Sequence, residues 1–268
     1  MNNLANKTAL ITGASSGIGA VYADRFAKRG YDLVLVARDR ARMEALAERL
    51  HRDTGVSVDI LQADLTDAGE LARVEEQLRT DRRIGILVNN AGVSAASSFV
   101  DQSPDEVAKI ISLNITALTR LTSAVAPRFA KTGDGAIINI GSVVGLAPEF
   151  GMTVYGATKA FVLFLTQGLQ LELGPKGVYV QAVLPASTRT EIWERSGWDM
   201  NALPPFMEVD ELVDAALVGF DRRETVTIPS LPDADQWNTF DAARQSMLPN
   251  FNQVNAAARY RLVTPVRD

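Results

Sequence analysis

The sequence predicts an α/β fold in which a doubly wound parallel sheet of about seven strands carries helices on both faces. Two observations support this prediction. Short apolar runs alternate with longer stretches of helical spacing, and repeated strand–helix units of this kind build parallel sheets with right-handed crossovers. A length of 268 residues with 47% hydrophobic content also suits one large domain. The predicted strands are Thr8–Thr12, Asp32–Ala37, Ser57–Gln62, Ile84–Asn89, Ala136–Gly141, Val178–Leu184 and Thr225–Ile228.

No linker, repeat or low-complexity stretch divides the chain, so residues 1–268 are predicted to form a single domain. Turn-rich residues interrupt the pattern at Gly197–Pro205, within a segment around 186–207 that we predict to be a substrate lid. From about 236 to 262, apolar and polar residues alternate at helical spacing. That spacing predicts a C-terminal helical tail, to which the sequence assigns no chemistry.

The composition excludes several classes of function. The net charge of −5 and the absence of a basic block argue against electrostatic binding of nucleic acid. The chain has no cysteine, and its one histidine, His51, lies in a charged helical stretch, so neither a thiol nucleophile nor a metal site is predicted. No apolar run approaches about 18 residues and no signal-peptide pattern opens the chain. A cytoplasmic protein without a membrane partner is therefore predicted.

A glycine-rich turn follows the first predicted strand. Gly13 allows a tight turn, Gly17 lets the backbone approach a pyrophosphate, and Gly19 lets the next helix pack closely. The N-terminus of that helix offers free N–H groups and a partial positive charge to phosphates. Strand, glycine turn and helix together predict a dinucleotide site, the alternative being an ordinary glycine-rich turn. The turn reads Thr12-Gly13-Ala14-Ser15-Ser16-Gly17-Ile18-Gly19.

Tyr155 and Lys159 are four residues apart, and Ser142 lies thirteen residues upstream of Tyr155. Positions i and i+4 share one face of a helix, so the phenol and the ammonium are predicted to point into the same space. A cation about 4 Å away at a dielectric near 20 is worth roughly 4 kcal/mol, or about 3 pKa units. That shift brings a phenol close to pH 7, where a general acid/base works best. The alternative is an exposed pair without chemistry.

These motifs resemble those of the short-chain dehydrogenase/reductase family, in its single-domain Rossmann-type form. Further matches occur in the family's order: Asn89-Asn90-Ala91-Gly92 after a strand, Asn114 in a helical stretch, Ser142 at a strand end, and Pro185 after the next strand. The resemblance covers residues from about 5 to 190. It assigns the cofactor site to Gly13, Ser15, Ser16, Gly17, Ile18, Gly19, Arg38, Asp64, Leu65, Asn90, Ala91, Gly92, Tyr155, Lys159, Pro185, Thr188 and Thr190.

The resemblance also assigns catalytic roles. It implies that Tyr155 exchanges a proton with the substrate oxygen. It further implies that Lys159 lowers the pKa of Tyr155 and donates a hydrogen bond to the nicotinamide ribose. By the same resemblance, Ser142 donates a hydrogen bond to that substrate oxygen, and Asn114 helps to hold a water that links Lys159 to solvent. Taken alone, Ser142 is equally a strand-end hydroxyl and Asn114 an amide that satisfies a broken helix. The chain departs from the family at Ala186, where glycine is usual and lies beside the nicotinamide.

The cofactor is predicted to be NADP(H), with NAD(H) possible. The family places an acid that binds the ribose 2′-hydroxyl at the position of Ala37, and Arg38 follows directly. A guanidinium can grip a 2′-phosphate through charge-assisted bonds, with Ser15 as a further donor. Alternatively, Arg38 caps the next helix or lies on its surface, with Asp39 as its ion-pair partner. The resemblance brings Asp64 and Leu65 to the adenine, while a helix N-cap at Asp64 or Asp67 is the competing interpretation.

The resemblance points to a small-molecule carbonyl or alcohol substrate, and the flanking side chains suggest one with an apolar part. The leading hypothesis is an NADPH-dependent carbonyl reductase or the reverse alcohol dehydrogenase. Epimerase or dehydratase chemistry on the same fold, and a non-catalytic cofactor sensor or regulator, are the alternatives. The aromatic and aliphatic residues equally suit a core or an interface. They are Val143, Val144, Leu146, Phe150, Met152, Trp193, Trp198, Phe206 and Met207.

Two helical stretches predict that the chain associates with copies of itself, and the family resemblance implies a homodimer or homotetramer. Residues Ala160–Leu165 are apolar all the way round, and Val107–Phe129 shows a similar pattern. Two such helices from each subunit can form a four-helix interface about a two-fold axis. The alternative is a monomer in which the tail from Gln236 onward covers this surface.

Overall fold

The computed structural model describes residues 7–95, 97–197 and 205–261. The chain consists of two compact units, which are Met1–Ser230 and Leu231–Asp268. The sheet and its helices lie in the first unit. The assignment of all 268 residues to one domain stays a prediction.

The first unit is built on a seven-stranded sheet in the order β3-β2-β1-β4-β5-β6-β7, and every pairing in it is parallel. The predicted fold class is therefore confirmed. Three strands have the predicted bounds, and the other four are shorter than predicted at one or both ends. The strands are β1 (Thr8–Thr12), β2 (Asp32–Ala37), β3 (Val58–Gln62), β4 (Ile84–Asn89), β5 (Ala136–Ile140), β6 (Tyr179–Val183) and β7 (Val226–Thr227).

Helices cover both faces of this sheet because the strands are apolar on both sides. Ile11 and Leu35 belong to one buried cluster, whereas their neighbours Leu10 and Val34 belong to the other. The alternation follows from the two-residue period of a strand. The helices of the first unit are α1 (Gly17–Lys28), α2 (Arg40–Thr54), α3 (Ala68–Thr80), α4 (Pro104–Ile111), α5 (Leu118–Thr132), α6 (Thr153–Leu173), α7 (Ile192–Arg195) and α8 (Val209–Asp221).

Side-chain caps fix where several of these helices begin. Asp39 accepts a hydrogen bond from the N–H of Arg42 at the start of α2, and Asp67 accepts two at the start of α3. Ser103 and Glu106 form a reciprocal capping box at the start of α4. A π-helical segment, Ser112–Ala117, joins α4 to α5. The helical stretch predicted around Asn114 is thus locally widened, which is a frequent feature of functional sites.

The second unit contains helix α9 (Ala234–Gln245), capped by Asp233, followed by 3₁₀ turns at Leu248–Asn252 and Ala258–Tyr260. No residue of these elements is buried. The helical spacing of the tail thus corresponds to helix over only part of its predicted range, and residue 262 lies outside the described residues. In the part of the chain that the structure describes, no helix combines the length and apolarity needed to cross a membrane.

Candidate active site

The carboxyl ends of the central strands open into one cavity of about 910 Å³. It lies where the strand order reverses, since β2 and β4 pair on opposite sides of β1. Ligands of open α/β sheets bind at this switch point. Nearly all predicted site residues line the cavity, and Gly19 and Asn114 are the two that do not. The predicted residues on its wall are Gly13, Ser15, Ser16, Gly17, Ile18, Arg38, Asp64, Leu65, Asn90, Ala91, Gly92, Ser142, Tyr155, Lys159, Pro185, Thr188 and Thr190.

The glycine turn is built as a backbone cradle. Gly13 and Gly17 have φ of +65° and +53°, in the left-handed region that favours glycine. A Cβ at Gly19 would overlap the carbonyl oxygen of Gly13, so Gly19 shapes the cradle from beneath rather than lining it. Asn90 fixes the turn from the end of β4, since its Nδ2 donates to the carbonyl oxygens of Thr12 (2.9 Å) and Gly13 (3.2 Å).

The start of α1 is open to an anion. Ser16 is the N-cap, yet its side chain makes no capping hydrogen bond, and the first turn contains no acidic residue. The first N–H groups of the helix are therefore left without a side-chain acceptor, and the helix dipole adds a partial positive charge there. Phosphate oxygens match both features. The residues present thus fit the pyrophosphate of a dinucleotide.

Ser142, Tyr155 and Lys159 meet where β5 ends and α6 begins. Lys159 Nζ donates to the carbonyl oxygen of Ile140 at 2.8 Å and lies 5.5 Å from the centre of the Tyr155 ring. The side chain of Ser142 lies close enough to Tyr155 to influence the pKa of the phenol. The Ser142 hydroxyl also lies 3.3 Å from the carbonyl oxygen of Pro185 and accepts from the N–H of Val144 at 3.2 Å. The predicted shared face of Tyr155 and Lys159 is thus present, with Ser142 beside the phenol.

The prediction that Lys159 brings the pKa of the Tyr155 phenol close to 7 is wrong for this structure of the protein. Burial raises the pKa of Tyr155 to about 12, and the influence of the nearby Ser142 side chain offsets this only in part. Burial also lowers the pKa of Lys159 to about 8. Although part of the Tyr155 surface faces the cavity, the protein packed around the phenol disfavours the phenolate. Lys159 Nζ also donates one of its hydrogen bonds to the carbonyl oxygen of Ile140.

Asn114 lies behind the cavity wall, in the π-helical segment. Its Oδ1 accepts from the N–H of Val93 at 2.9 Å, and its Nδ2 donates to the Val93 carbonyl oxygen at 2.9 Å and to the Thr158 hydroxyl at 3.1 Å. The amide therefore joins the loop after β4 to α6 and makes none of these bonds to the backbone of its own widened helix, unlike the alternative interpretation. A Cβ at Gly92 would lie 3.2 Å from Asn114 Oδ1 and 3.6 Å from Lys159 Nζ, so glycine leaves space between the two side chains. The water predicted there stays a prediction.

Arg38 pairs with Asp64 rather than with Asp39. Its Nη1 lies 3.7 Å from Asp64 Oδ2, and its side chain is 63% exposed. Asp39 is instead the N-cap of α2, accepting from the N–H of Arg42 at 3.0 Å. Asp64 is not a helix cap, because its Oδ1 accepts from the N–H and the hydroxyl of Thr66, while Asp67 caps α3. Arg38 therefore stands open beside the cavity at the end of β2.

The segment after β6 lies along the same cavity. The Thr188 hydroxyl donates to the Ala186 carbonyl oxygen at 2.9 Å, and Trp193 Nε1 donates to the Thr188 carbonyl oxygen at 2.7 Å. Among the described residues only Arg223 combines a side chain with a positive φ, so Ala186 follows a backbone path open to any residue. The replacement of the usual glycine therefore needs no strained backbone here.

The apolar residues predicted around the pocket divide between two cavities. Leu146 lines neither of the two described cavities, Phe206 and Met207 line a smaller one with Ala186, and Trp198 lies outside the described residues. Sequence reasoning missed Ser94, Ile192 and other wall residues, because nothing local signals which loop residues turn inward. The predicted residues that do line the large cavity are Val143, Val144, Phe150, Met152 and Trp193.

Several known proteins are similar to this chain in sequence and in architecture. The model of the family described as short chain dehydrogenase matches residues 7–201. A short-chain dehydrogenase from Sphingobium yanoikuyae, solved in complex with NADPH, is 65% identical, with a TM-score of 0.94, covering 95% of this chain and 100% of that one. The bulky-bulky ketone specific alcohol dehydrogenase from Comamonas testosteroni is 60% identical, with a TM-score of 0.90, covering 96% of this chain and 99% of that one.

A more distant relative is the very-long-chain 3-oxoacyl-CoA reductase-A of Danio rerio. It is 35% identical over 190 residues, which is 69% of this chain. The aligned region spans only 59% of that protein's length.

Proposed function

The chain belongs to the short-chain dehydrogenase family, and from that premise we propose that it is an NADP(H)-dependent oxidoreductase acting on a carbonyl or secondary alcohol. The observation that carries the proposal is the convergence of Ser142, Tyr155 and Lys159 on the cavity that also holds the glycine cradle and Arg38. Proton-transfer groups and a dinucleotide-shaped site thus share one space. The non-catalytic sensor has no comparable observation in its favour.

The dinucleotide would be held by the glycine turn, the open N-terminus of α1 and Arg38. When bound, NADPH supplies the hydride. The preference for NADPH is supported by Arg38, by the absence of an acid at Ala37, and by the NADPH complex of the Sphingobium relative. Binding of NAD(H) stays a prediction.

Tyr155 holds the proton that the reduction of a carbonyl requires. With a pKa of about 12, its phenol is protonated at neutral pH and can donate to a substrate oxygen. Ser142 offers a hydroxyl beside the phenol and can stabilise negative charge on the same oxygen. Lys159, with a pKa of about 8, is mostly cationic at pH 7 and supports the charge that forms on Tyr155 as the proton leaves. Alcohol oxidation returns the proton to Tyr155.

We propose a substrate whose reacting carbon carries apolar groups on both sides. Val144, Phe150, Met152 and Trp193 give the wall near Tyr155 and Ser142 an apolar character. The Comamonas relative, whose name specifies bulky-bulky ketones, supports this class.

Following NADPH oxidation against methyl ketones, ketones with two bulky groups, aldehydes and 3-oxo compounds tests the proposal. We expect the bulky ketones to turn over fastest. Tyr155→Phe removes the proton donor, so kcat should fall by about 10²- to 10⁴-fold while NADPH affinity stays near the parental value. Tyr260→Phe, at an exposed tyrosine of the second unit, is the matched control and should retain full activity. NADPH binding without turnover of any substrate would favour a sensor instead.

We also propose that the protein acts as a homodimer or homotetramer in the cytoplasm. Phe161, Phe164 and Leu171 on α6 are exposed, so this helix has an apolar face without cover in one described subunit. Large exposed apolar faces are rare on monomers. The interface predicted from Ala160–Leu165 would use this face.

A further inference from the structure

Residues 186–197, called the strap below, run along the rim of the large cavity. The strap is anchored at its start by main-chain hydrogen bonds to Met207: the Met207 N–H donates to the Ser187 carbonyl oxygen at 2.9 Å, and the Arg189 N–H donates to the Met207 carbonyl oxygen at 3.0 Å. The Trp193 side chain turns back toward the start of the strap, where its Nε1 donates a hydrogen bond to the Thr188 carbonyl oxygen at 2.7 Å. The strap is therefore held firmly at one end.

Farther along, the strap comes close to the glycine cradle. A Cβ placed on Gly17 would lie 3.3 Å from Thr190 Cγ2. Thr190 and Glu191 line the same cavity as Gly13 and Ser15. A ligand that reaches from the cradle to Tyr155 must therefore share this space with the strap.

A charged contact joins the strap to α2. Both carboxylate oxygens of Glu191 lie 2.8 Å from Arg42 Nη1, although the two residues are 149 positions apart in sequence. Arg42 also lies 3.3 Å from Asp39, which caps α2 through its other oxygen. The side chains of Arg42 and Glu191 are 46% and 40% exposed, so water and salt reach the pair.

We propose that Arg42 and Glu191 form a latch that holds the strap over the cofactor and sets how fast the cofactor leaves. The inference rests on the proposed function, since the cofactor is the dinucleotide of that proposal. The strap cannot lift from the cradle without separating Glu191 from Arg42. An exposed ion pair is weak and is screened by salt, which suits a contact that opens in every catalytic cycle. Arg42 and Glu191 are positioning residues that act through the strap.

The release of NADPH, followed by stopped-flow fluorescence without substrate, tests the latch. Glu191→Gln should release NADPH about 2- to 5-fold faster than the parent at low salt, which is the range expected for an exposed ion pair. The difference should disappear at about 1 M salt, where the screening length is about 3 Å. The double variant Arg42→Glu/Glu191→Arg restores a pair of opposite charges and should return the rate toward the parental value.

Glu44→Gln is the matched control, because Glu44 pairs with Arg40 on the same helix at 2.7 Å with similar exposure but does not reach the strap. Its release rate should equal that of the parent. A parent that does not bind NADPH would overturn the proposed function together with the cofactor role of the latch. A parent that binds NADPH, with Glu191→Gln releasing it at the parental rate, would overturn the latch alone.

Hydrogen exchange without any cofactor gives an independent measurement. The amides of residues 188–196 should exchange faster in Glu191→Gln than in Glu44→Gln, since the strap opens more often when the latch is lost. The rest of the sheet should exchange at the same rate in both variants. Equal exchange of the strap in the two variants would contradict the proposal, whatever the cofactor measurements show.

Discussion

Lys159 is an ionisable side chain that folding has buried, and its burial has a cost in stability. Its pKa is about 8 in the folded protein and 10.5 by its ordinary value. Below pH 8 the folded state must keep a buried cation, whereas the unfolded state solvates it. Between pH 8 and 10.5 the unfolded state binds more protons, so the free energy of unfolding rises with pH in this window. Above 10.5 both states are neutral and the penalty is gone.

Lys159→Met should therefore stabilise the fold at pH 7 while abolishing activity. The shift of Lys159 corresponds to about 3 kcal/mol, from which about 1 kcal/mol is lost with the hydrogen bond to Ile140. The gain should shrink at pH 10, where the folded parent has already lost the proton. Urea unfolding at both pH values measures it, with Lys176→Met at an exposed lysine as the control. A variant less stable than the parent at pH 7 would contradict a penalty from burial.

Arg38 decides the choice between cofactors in the proposed function. Its ion pair with Asp64 is long and exposed, so the guanidinium is available to a 2′-phosphate. Arg38→Ala should lower the affinity for NADPH by about 10- to 100-fold and leave that for NADH nearly unchanged. Titration of both cofactors against the parent and the variant checks this expectation. Equal affinities of the parent for both cofactors would refute the preference.

The sequence predicted which residues meet at the site better than it predicted their pKa values. Tyr155 and Lys159 share a face because helix geometry is local, so a spacing of four is sufficient. The pKa of Tyr155 depends on burial by distant segments, such as the one in which Ser142 meets Pro185, 43 residues away. The contact between Arg42 and Glu191 spans 149 residues and has no local signal at all.

At the scale of elements, most strands were predictable because they are short apolar runs that are almost entirely buried, whereas β3 and β7 are only partly buried. Their errors lie at the ends, as for β7, where tertiary contacts decide how far the pairing continues. The π-helical segment around Asn114 was harder to predict from the sequence than the strands. It depends on contacts with Val93 and Thr158, which come from separate parts of the chain.

Two glycine substitutions in helices should have opposite effects. A Cβ at Gly19 would meet the backbone of Gly13, so Gly19→Ala should destabilise the fold and distort the cradle. A Cβ at Gly168 of α6 has open space around it within one subunit and an ordinary helical φ, so Gly168→Ala should stabilise the unassociated subunit by about 0.4–1 kcal/mol. Thermal or urea unfolding of both variants, with NADPH affinity as a second measurement, tests the pair. Gly19→Ala with parental stability and affinity would contradict the close packing of the cradle.

For the molecule as a whole, the exposed face of α6 indicates association. Phe164 and Leu171 are 77% and 79% exposed, and a spacing of seven residues puts them on one side of the helix together with Phe161. Val162 and Leu163 of the same helix are buried. The helix thus has a second apolar face, which the sequence showed as a run without polar residues.

The double variant Phe164→Glu/Leu171→Glu should dissociate the proposed oligomer. Burying a Phe or Leu side chain is worth about 1.5–3 kcal/mol, so losing two from each subunit and bringing like charges together across a two-fold axis should weaken association far more than 10-fold. Light scattering over a range of concentrations should give the parent a mass of at least twice 29.0 kDa and the variant a mass near 29.0 kDa. Val100→Glu, at an 88% exposed residue outside α6, should leave the mass unchanged. A parent that stays near 29.0 kDa at every concentration would favour the monomer, in which the chain from Gln236 onward takes the place of the second subunit.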